Sequence, residues 1–222
     1  PQPPTGTIFD AWAAPSGELF VGVDMGYVFR FSGSSWTQLN LTSTSSNVTA
    51  VGGVSATDFY AGTALGYVYR LMGGTPPGGS LNATAFAGGI NAIWTRSATE
   101  SWAVGNGGAV VKLNLSSTSV ISGATSTAGT TALYSVHGAA APNKYMWLVG
   151  ANGTIIRYDS SANSWMKMPS PVATTLTSVV ALSDSDVWFS DDGGVLLHWD
   201  GTSTTPITGP FGTRNLTELY AP

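Results

Sequence analysis

One pattern constrains this chain more than any other. The stretch Glu18–Arg30 (ELFVGVDMGYVFR) has further copies at Asp58–Arg70, Glu100–Lys112, Tyr145–Arg157 and Asp186–His198. The turn glycines of the copies, Gly26, Gly66, Gly108, Gly153 and Gly194, are separated by 40, 42, 45 and 41 residues. Six residues before each glycine stands an aromatic: Phe20, Tyr60, Trp102, Trp147 and Trp188. Two residues after it stands an aliphatic: Val28, Val68, Val110, Ile155 and Leu196. Four residues after it stands a cation or imidazole: Arg30, Arg70, Lys112, Arg157 and His198. Eight residues before it, four copies carry an acid: Glu18, Asp58, Glu100 and Asp186.

All these offsets are even, so on a β-hairpin the side chains share one face. A glycine closing the turn suits a three-residue loop whose last residue is left-handed, with a bulge. That register sets the aromatic opposite the cation and the acid diagonal to it, and a slightly different turn would set acid opposite cation instead. Charge pairing and ring contact across the strands then hold each unit together, at roughly 0.2–1 kcal/mol per pair. The repeated charges are therefore expected to be structural rather than a ring of ligand-binding cations. A period of about 40–45 residues is that of one four-stranded propeller blade. The expected fold is an all-β β-propeller of four-stranded antiparallel blades: five complete repeats plus the inner strand of a sixth.

Along the chain, Pro1–Gly6 reads as a Pro-rich linker or tail, because proline cannot pair as a central strand. The blades are drawn at residues 7–46, 47–89, 90–130, 131–174 and 175–213. Each opens on an inner-strand signal such as Thr7–Trp12, Asn47–Gly52 or Leu176–Val180. The fourth strands are weaker, as exposed outer strands are. The second copy departs most, with an irregular Gly73–Gly79 loop and a fourth strand displaced to about Leu81–Phe86. Residues 214–222 begin a sixth blade, since Asn215–Tyr220 (NLTELY) matches Asn47–Gly52. The remaining blades are expected from a longer parent chain or another chain.

Composition excludes several classes. The net charge is −4 with only eight Lys and Arg, which leaves no basic footprint for a nucleic acid. No apolar run approaches the length of a membrane span. Cysteine is absent, which removes disulfide frameworks and thiolate metal sites. Six of the ten asparagines, Asn40, Asn47, Asn82, Asn114, Asn152 and Asn215, begin Asn-X-Ser/Thr. Chance would give roughly two or three in a chain this rich in Ser and Thr, so the excess points to a secreted, N-glycosylated protein.

The units resemble those of secreted β-propellers with short sialidase-like and photosystem-assembly-factor-like repeats. The resemblance lies in aromatic-x-Val-Gly, a glycine turn, an apolar strand ending in a basic residue or His, then Asp-Gly and Trp. Val187–Gly201 and Trp147–Trp165 carry it best. It covers nearly the whole chain and implies the fold, not an activity. The sialidase box Ser-x-Asp-x-Gly-x-Thr-Trp is not intact, Asp159–Trp165 (DSSANSW) being at most a degenerate relative. No arginine triad carries over.

Candidate chemistry is sparse. Propeller glycosidases set carboxylates on inner strands around the axis, and only Asp10 and Glu218 hold such positions. Either is equally a solvated or hydrogen-bonded acid. His137 ends an inner strand and could face an axial channel, whereas His198 stands in for the cation of the other copies. Two histidines without cysteine make no zinc set. Asp184, Asp186, Asp191 and Asp192 lack the alternating spacing of a calcium loop. No metal and no cofactor is expected. Trp12, Trp94, Trp36 and Trp165 are candidates for stacking on sugars, and each also suits packing between sheets. The expected role is a non-enzymatic extracellular or cell-surface scaffold or adhesion module, with a protein or glycan partner. The alternatives are a carbohydrate-binding lectin and a propeller glycoside hydrolase.

Overall fold

The computed structural model describes residues 6–41, 45–73, 80–81, 88–113, 118–120, 127–207 and 209–220. These form five antiparallel sheets of four strands, each running through its strands in chain order. The first holds β1 (Ile8–Ala13), β2 (Leu19–Val23), β3 (Tyr27–Phe31) and β4 (Trp36–Asn40). The second holds β5 (Val48–Ser55), β6 (Asp58–Thr63), β7 (Val68–Met72) and β8 (Ser80–Leu81). The third holds β9 (Ile90–Ser97), β10 (Glu100–Gly105), β11 (Val110–Leu113) and β12 (Thr118–Val120). The fourth holds β13 (Leu133–Gly138), β14 (Tyr145–Gly150), β15 (Thr154–Asp159) and β16 (Ser164–Met168). The fifth holds β17 (Leu176–Ser183), β18 (Asp186–Asp191), β19 (Leu196–Trp199) and β20 (Thr204–Ile207). In the second copy, β8 starts at Ser80, and the expected Leu81–Phe86 strand lies beyond Leu81 outside the described residues.

The chain divides into two compact units, Pro1–Gly105 with Val111–Val120 and Asn106–Val110 with Ile121–Pro222. In the first, Phe20, Val28, Leu39, Val51, Phe59 and Leu71 form a core to which Trp12 adds. In the second, Trp147, Ile155, Leu176, Val179, Phe189, Leu197 and Trp199 form another. The second strand of each sheet is buried along nearly its whole length, β6, β10 and β14 from the second residue onward. Such strands are covered on both faces, so they read as apolar runs rather than alternations. The glycines two residues after Phe20 and Tyr60 have a related cause. A Cβ on Gly22 would lie 2.8 Å from the Val48 carbonyl, and one on Gly62 would lie 2.6 Å from Ile90. Glycine there lets one sheet close on the next.

The turns fall into two kinds. In the second and fifth copies the Thr63 N–H donates to Tyr67 O and the Asp191 N–H to Val195 O, at 3.0 and 3.2 Å. Only the last loop residue, Gly66 or Gly194, has positive φ. This is the three-residue loop with a left-handed last residue. The first and fourth copies correct that expectation. Met25 and Gly26, like Asn152 and Gly153, both have positive φ. The Tyr27 and Thr154 N–H groups donate to Asp24 O and Ala151 O. The last two loop residues thus form a type I′ turn, while the pairing of Gly150 with Thr154 and of Gly22 with Val28 keeps the register of a three-residue loop. Gly107 and Gly108 give the third copy the same pair of positive φ values.

Candidate interaction surface

The repeated face has the register in which aromatic meets cation. Phe20 lies across from Arg30, Tyr60 from Arg70, Trp147 from Arg157 and Trp188 from His198. The acid reaches the cation diagonally. Glu18 takes the Nε and Nη2 hydrogens of Arg30 through one oxygen. Asp58 holds Arg70 in a bidentate pair at 2.8 and 2.7 Å, and Arg70 lies over the Tyr60 ring at 5.7 Å. The Asp58 hydrogen bonds raise the Arg70 pKa against the opposing effect of burial. Asp186 accepts the Trp188 indole N–H and bonds the His198 Nε2, both at 2.9 Å, with the imidazole stacked on the indole.

Two sheets depart from this arrangement. In the third, Glu100 accepts the Trp102 N–H and pairs with Arg96 at 3.5 Å. Lys112 is left over the Trp102 ring at 5.3 Å. In the fourth, Tyr145 stands where the acid would be, and its ring lies 4.3 Å from the Arg157 guanidinium.

The inner strands are joined by a second repeated device. Asp10 Oδ2 accepts the Val51 N–H at 2.7 Å, and its Oδ1 accepts the Ala11 N–H at 2.8 Å. At the equivalent position, Ser135 accepts the Val179 N–H at 3.3 Å and Ser178 the Leu219 N–H at 3.1 Å. One residue earlier each inner strand bulges, at Phe9, Thr49, Asn91, Tyr134 and Thr177. Thr49 donates to the Ile90 carbonyl at 2.5 Å, and Thr177 donates to that of Leu216. Residues 214–220 hold no assigned strand, yet Leu216 and Leu219 take these inner-strand bonds against β17 and β18.

These bonds place the sequence candidates. Asp10 is a tether between strands. Glu218 is exposed, at the matching position of the last segment. His137 Nδ1 accepts the Ala181 N–H at 3.1 Å, which makes it a tether too, and burial pulls its pKa down to about 4. Its ring is therefore neutral at pH 7, with the proton on Nε2. Trp12 packs on Phe20 and Phe59, at 5.5 and 6.0 Å between ring centres, and Trp94 lies under Arg96 at 5.2 Å. Trp36 packs on Phe31 and Trp165 on Tyr158. Trp12 reaches the second sheet through Phe59, whereas these contacts of Trp36, Trp94 and Trp165 lie within their own sheets.

The aspartates considered for calcium go separate ways. Asp184 caps the Lys144 and Tyr145 N–H groups, and Asp186 serves Trp188 and His198. Asp191 takes the Thr174 hydroxyl and the Gly193 and Val195 N–H groups, and Asp192 takes the Thr175 N–H. Of the sequon asparagines, Asn40, Asn152 and Asn215 are exposed and Asn47 is half-buried. Asn82 and Asn114 lie outside the described residues. No helix among the described residues is long and apolar enough to cross a membrane.

The sequence reading missed a group of exposed apolar side chains. Ile8 pairs with Val23 just before the first turn, and Val48 pairs with Thr63 just before the second. Ile8, Phe9, Met25, Leu65 and Tyr67 thus all lie toward the turn ends of the first two sheets. They are 56, 42, 58, 66 and 38 % exposed. The signal in the sequence was position: Met25 and Leu65 stand at turn tips where other copies carry Gly107, Asn152 or Gly193, and Phe9 at a bulge where they carry Thr49, Asn91, Tyr134 or Thr177.

No protein-family model matches the chain, and no curated protein matches it. Solved structures do. A chain of the mitotic checkpoint complex aligns at TM-score 0.77 and 12 % identity, over 98 % of this chain and 71 % of that one. Virginiamycin B lyase from Staphylococcus aureus aligns at TM-score 0.77 and 11 % identity, over 95 % and 73 %. The WD40 propeller domain of Doa1 aligns at TM-score 0.73 and 11 % identity, over 93 % and 69 %. At such identities the likeness is one of fold alone, so the sialidase-like and photosystem-assembly-factor-like resemblance holds no further than architecture. Over nearly its whole length the chain is an all-β protein of five antiparallel sheets with the β-propeller fold.

Proposed function

We propose that the chain is a non-enzymatic extracellular module that offers the turn ends of its first two sheets to a protein partner. The observation that carries this is the exposure of Met25 and Leu65, at 58 and 66 %, together with Ile8 and Phe9. Clustered apolar side chains on a soluble surface mark interaction sites more often than they arise by chance. Asp10 and His137 are meanwhile engaged as tethers between strands. Exposed sequons at Asn40, Asn152 and Asn215 support the extracellular setting.

The test is photo-crosslinking from position 65 in native extracellular material, with position 205 on β20 as the control. One discrete protein adduct is expected, and Met25→Ser with Phe9→Ser should remove it. Equal labelling from both positions would count against the reading.

Carbohydrate binding is a second reading with one observation behind it. Phe9 and Tyr134, both bulge residues, expose 42 and 38 % of their surface, and an aromatic held on a bulge is suited to stacking on a sugar ring. A glycan array decides it: hits lost on Tyr134→Ala or Phe9→Ala would favour a lectin.

A further inference from the structure

We propose that the fourth sheet carries a docking site for the carboxylate of an acidic protein segment, built on Arg157 and completed by Tyr145, Lys144 and Met166. Its basis is a carboxylate that the other sheets possess and this one lacks. In the fifth sheet Asp186 satisfies both the Trp188 indole N–H and His198. In the third, Glu100 satisfies the Trp102 indole N–H. In the first and second, Glu18 and Asp58 satisfy Arg30 and Arg70. Tyr145 occupies that position in the fourth sheet, and two donors are left over. Trp147 is fully buried, and its indole Nε1 has no hydrogen-bond partner among the described residues. The hydrogen bond shown for Arg157 goes to the Met166 sulfur, a poor acceptor, at 3.9 Å.

Nearby carboxylates do not fill the place. Asp159 pairs with Lys144 at 3.4 Å and accepts from Ser161 and Ala162. Asp184 is held by the Lys144 and Tyr145 backbone N–H groups. The Tyr145 ring, 4.3 Å from the guanidinium carbon, covers a face of Arg157, and Trp147 and Trp199 lie 5.9 Å away. A ring supplies attraction to the face of a guanidinium, while a carboxylate binds its edge, so the two complement each other. The aromatic surround also holds the side chain in place before a ligand arrives, which lowers the entropy lost on binding. Met166 beside it is 53 % exposed, so the acid is expected within an apolar segment rather than a run of charges. That favours a polypeptide over an acidic sugar.

The test uses the whole chain and a short peptide, capped at both ends, with one glutamate flanked by leucine and valine. Its glutamine counterpart and a glucuronate oligosaccharide are the comparison probes. Binding is read from the Trp147 indole N–H resonance, assigned through Trp147→Phe. Saturable shifts are expected with the glutamate peptide, with at least about tenfold weaker binding of the glutamine peptide. Arg157→Gln should abolish the response. Tyr145→Asp restores the internal carboxylate, so it should raise the melting temperature and lose peptide binding together. Because this variant is expected to be the more stable one, its loss of binding cannot come from unfolding. Equal binding of the two peptides, binding retained in Tyr145→Asp, or preference for the glucuronate chain would each overturn the proposal.

Discussion

Asp10 Oδ2 accepts the backbone N–H of Val51 at 2.7 Å, linking two inner strands that lie 41 residues apart in the chain. Ser135 and Ser178 make the same bond to Val179 and Leu219. Asp10→Ala leaves the Val51 N–H without this acceptor and should cost about 1–3 kcal/mol. Asp10→Ser should recover part of that loss, because serine performs the role in later copies. Urea denaturation of the three proteins checks the order, and an alanine variant as stable as the parent would refute the tether.

His137 gives a pH dependence of definite sign. Its folded pKa, lowered by burial to about 4, lies below its ordinary value of 6.5. Between these values the unfolded chain binds more protons than the folded one. The stability this residue contributes is therefore complete above pH 6.5 and falls as pH drops toward 4. The loss is on the order of 1–3 kcal/mol. His137→Gln should flatten the melting temperature across that window. A parent protein whose melting temperature is constant from pH 7 to pH 4 would contradict the assignment.

Met25 sits at φ 56° and ψ 22° in a type I′ turn, a left-handed conformation that side chains other than Asn, Asp and Gly rarely adopt. Met25→Asn should stabilise the protein by about 0.5–1 kcal/mol. Denaturant midpoints measure this directly. The same exchange at Leu65 should bring no such gain, because Leu65 does not have positive φ.

Arg70 and Arg30 occupy equivalent positions but differ in burial: their side chains are 9 and 31 % exposed. Removing Arg70 also strands Asp58, so Arg70→Ala should cost about 2 kcal/mol. Arg30→Ala should cost distinctly less, since the Arg30 side chain is the more exposed of the two and the Ser16 hydroxyl still donates to Glu18. Neither change should alter partner binding. Paired thermal melts with a binding assay test both halves, and lost binding at an unchanged melting temperature would reassign these cations to a ligand site.

Asn40, Asn152 and Asn215 are exposed, so under the proposed extracellular setting native material should carry N-acetylhexosamine at some of them. Mass analysis of the peptides that carry Asn40, Asn152 and Asn215 decides this, because all three at their bare masses would remove the secretory reading.

The repeat by itself determined a great deal. A period near 40 residues with even offsets permits a hairpin face and little else, so a shared face for Phe20 and Arg30 and the charge pairing of Asp58 with Arg70 could be read from spacing, while the structure chose the register that sets Phe20 across from Arg30. These contacts lie within one hairpin, where sequence distance fixes spatial distance.

What passes between sheets was not legible. Asp10 looked like an acid on an inner strand, and only the fold brings the Val51 N–H to it. The turn glycines show the same limit. Positive φ accounts for all five, but a Cβ at Gly108, Gly153 or Gly194 would also lie 2.2, 2.0 or 2.2 Å from a carbonyl of a later segment. The gap at Tyr145 was visible as a missing acid, whereas the buried indole N–H it leaves at Trp147 was not. Local geometry follows from residue spacing. Which donor loses its acceptor depends on burial, and burial is settled only when the sheets have packed.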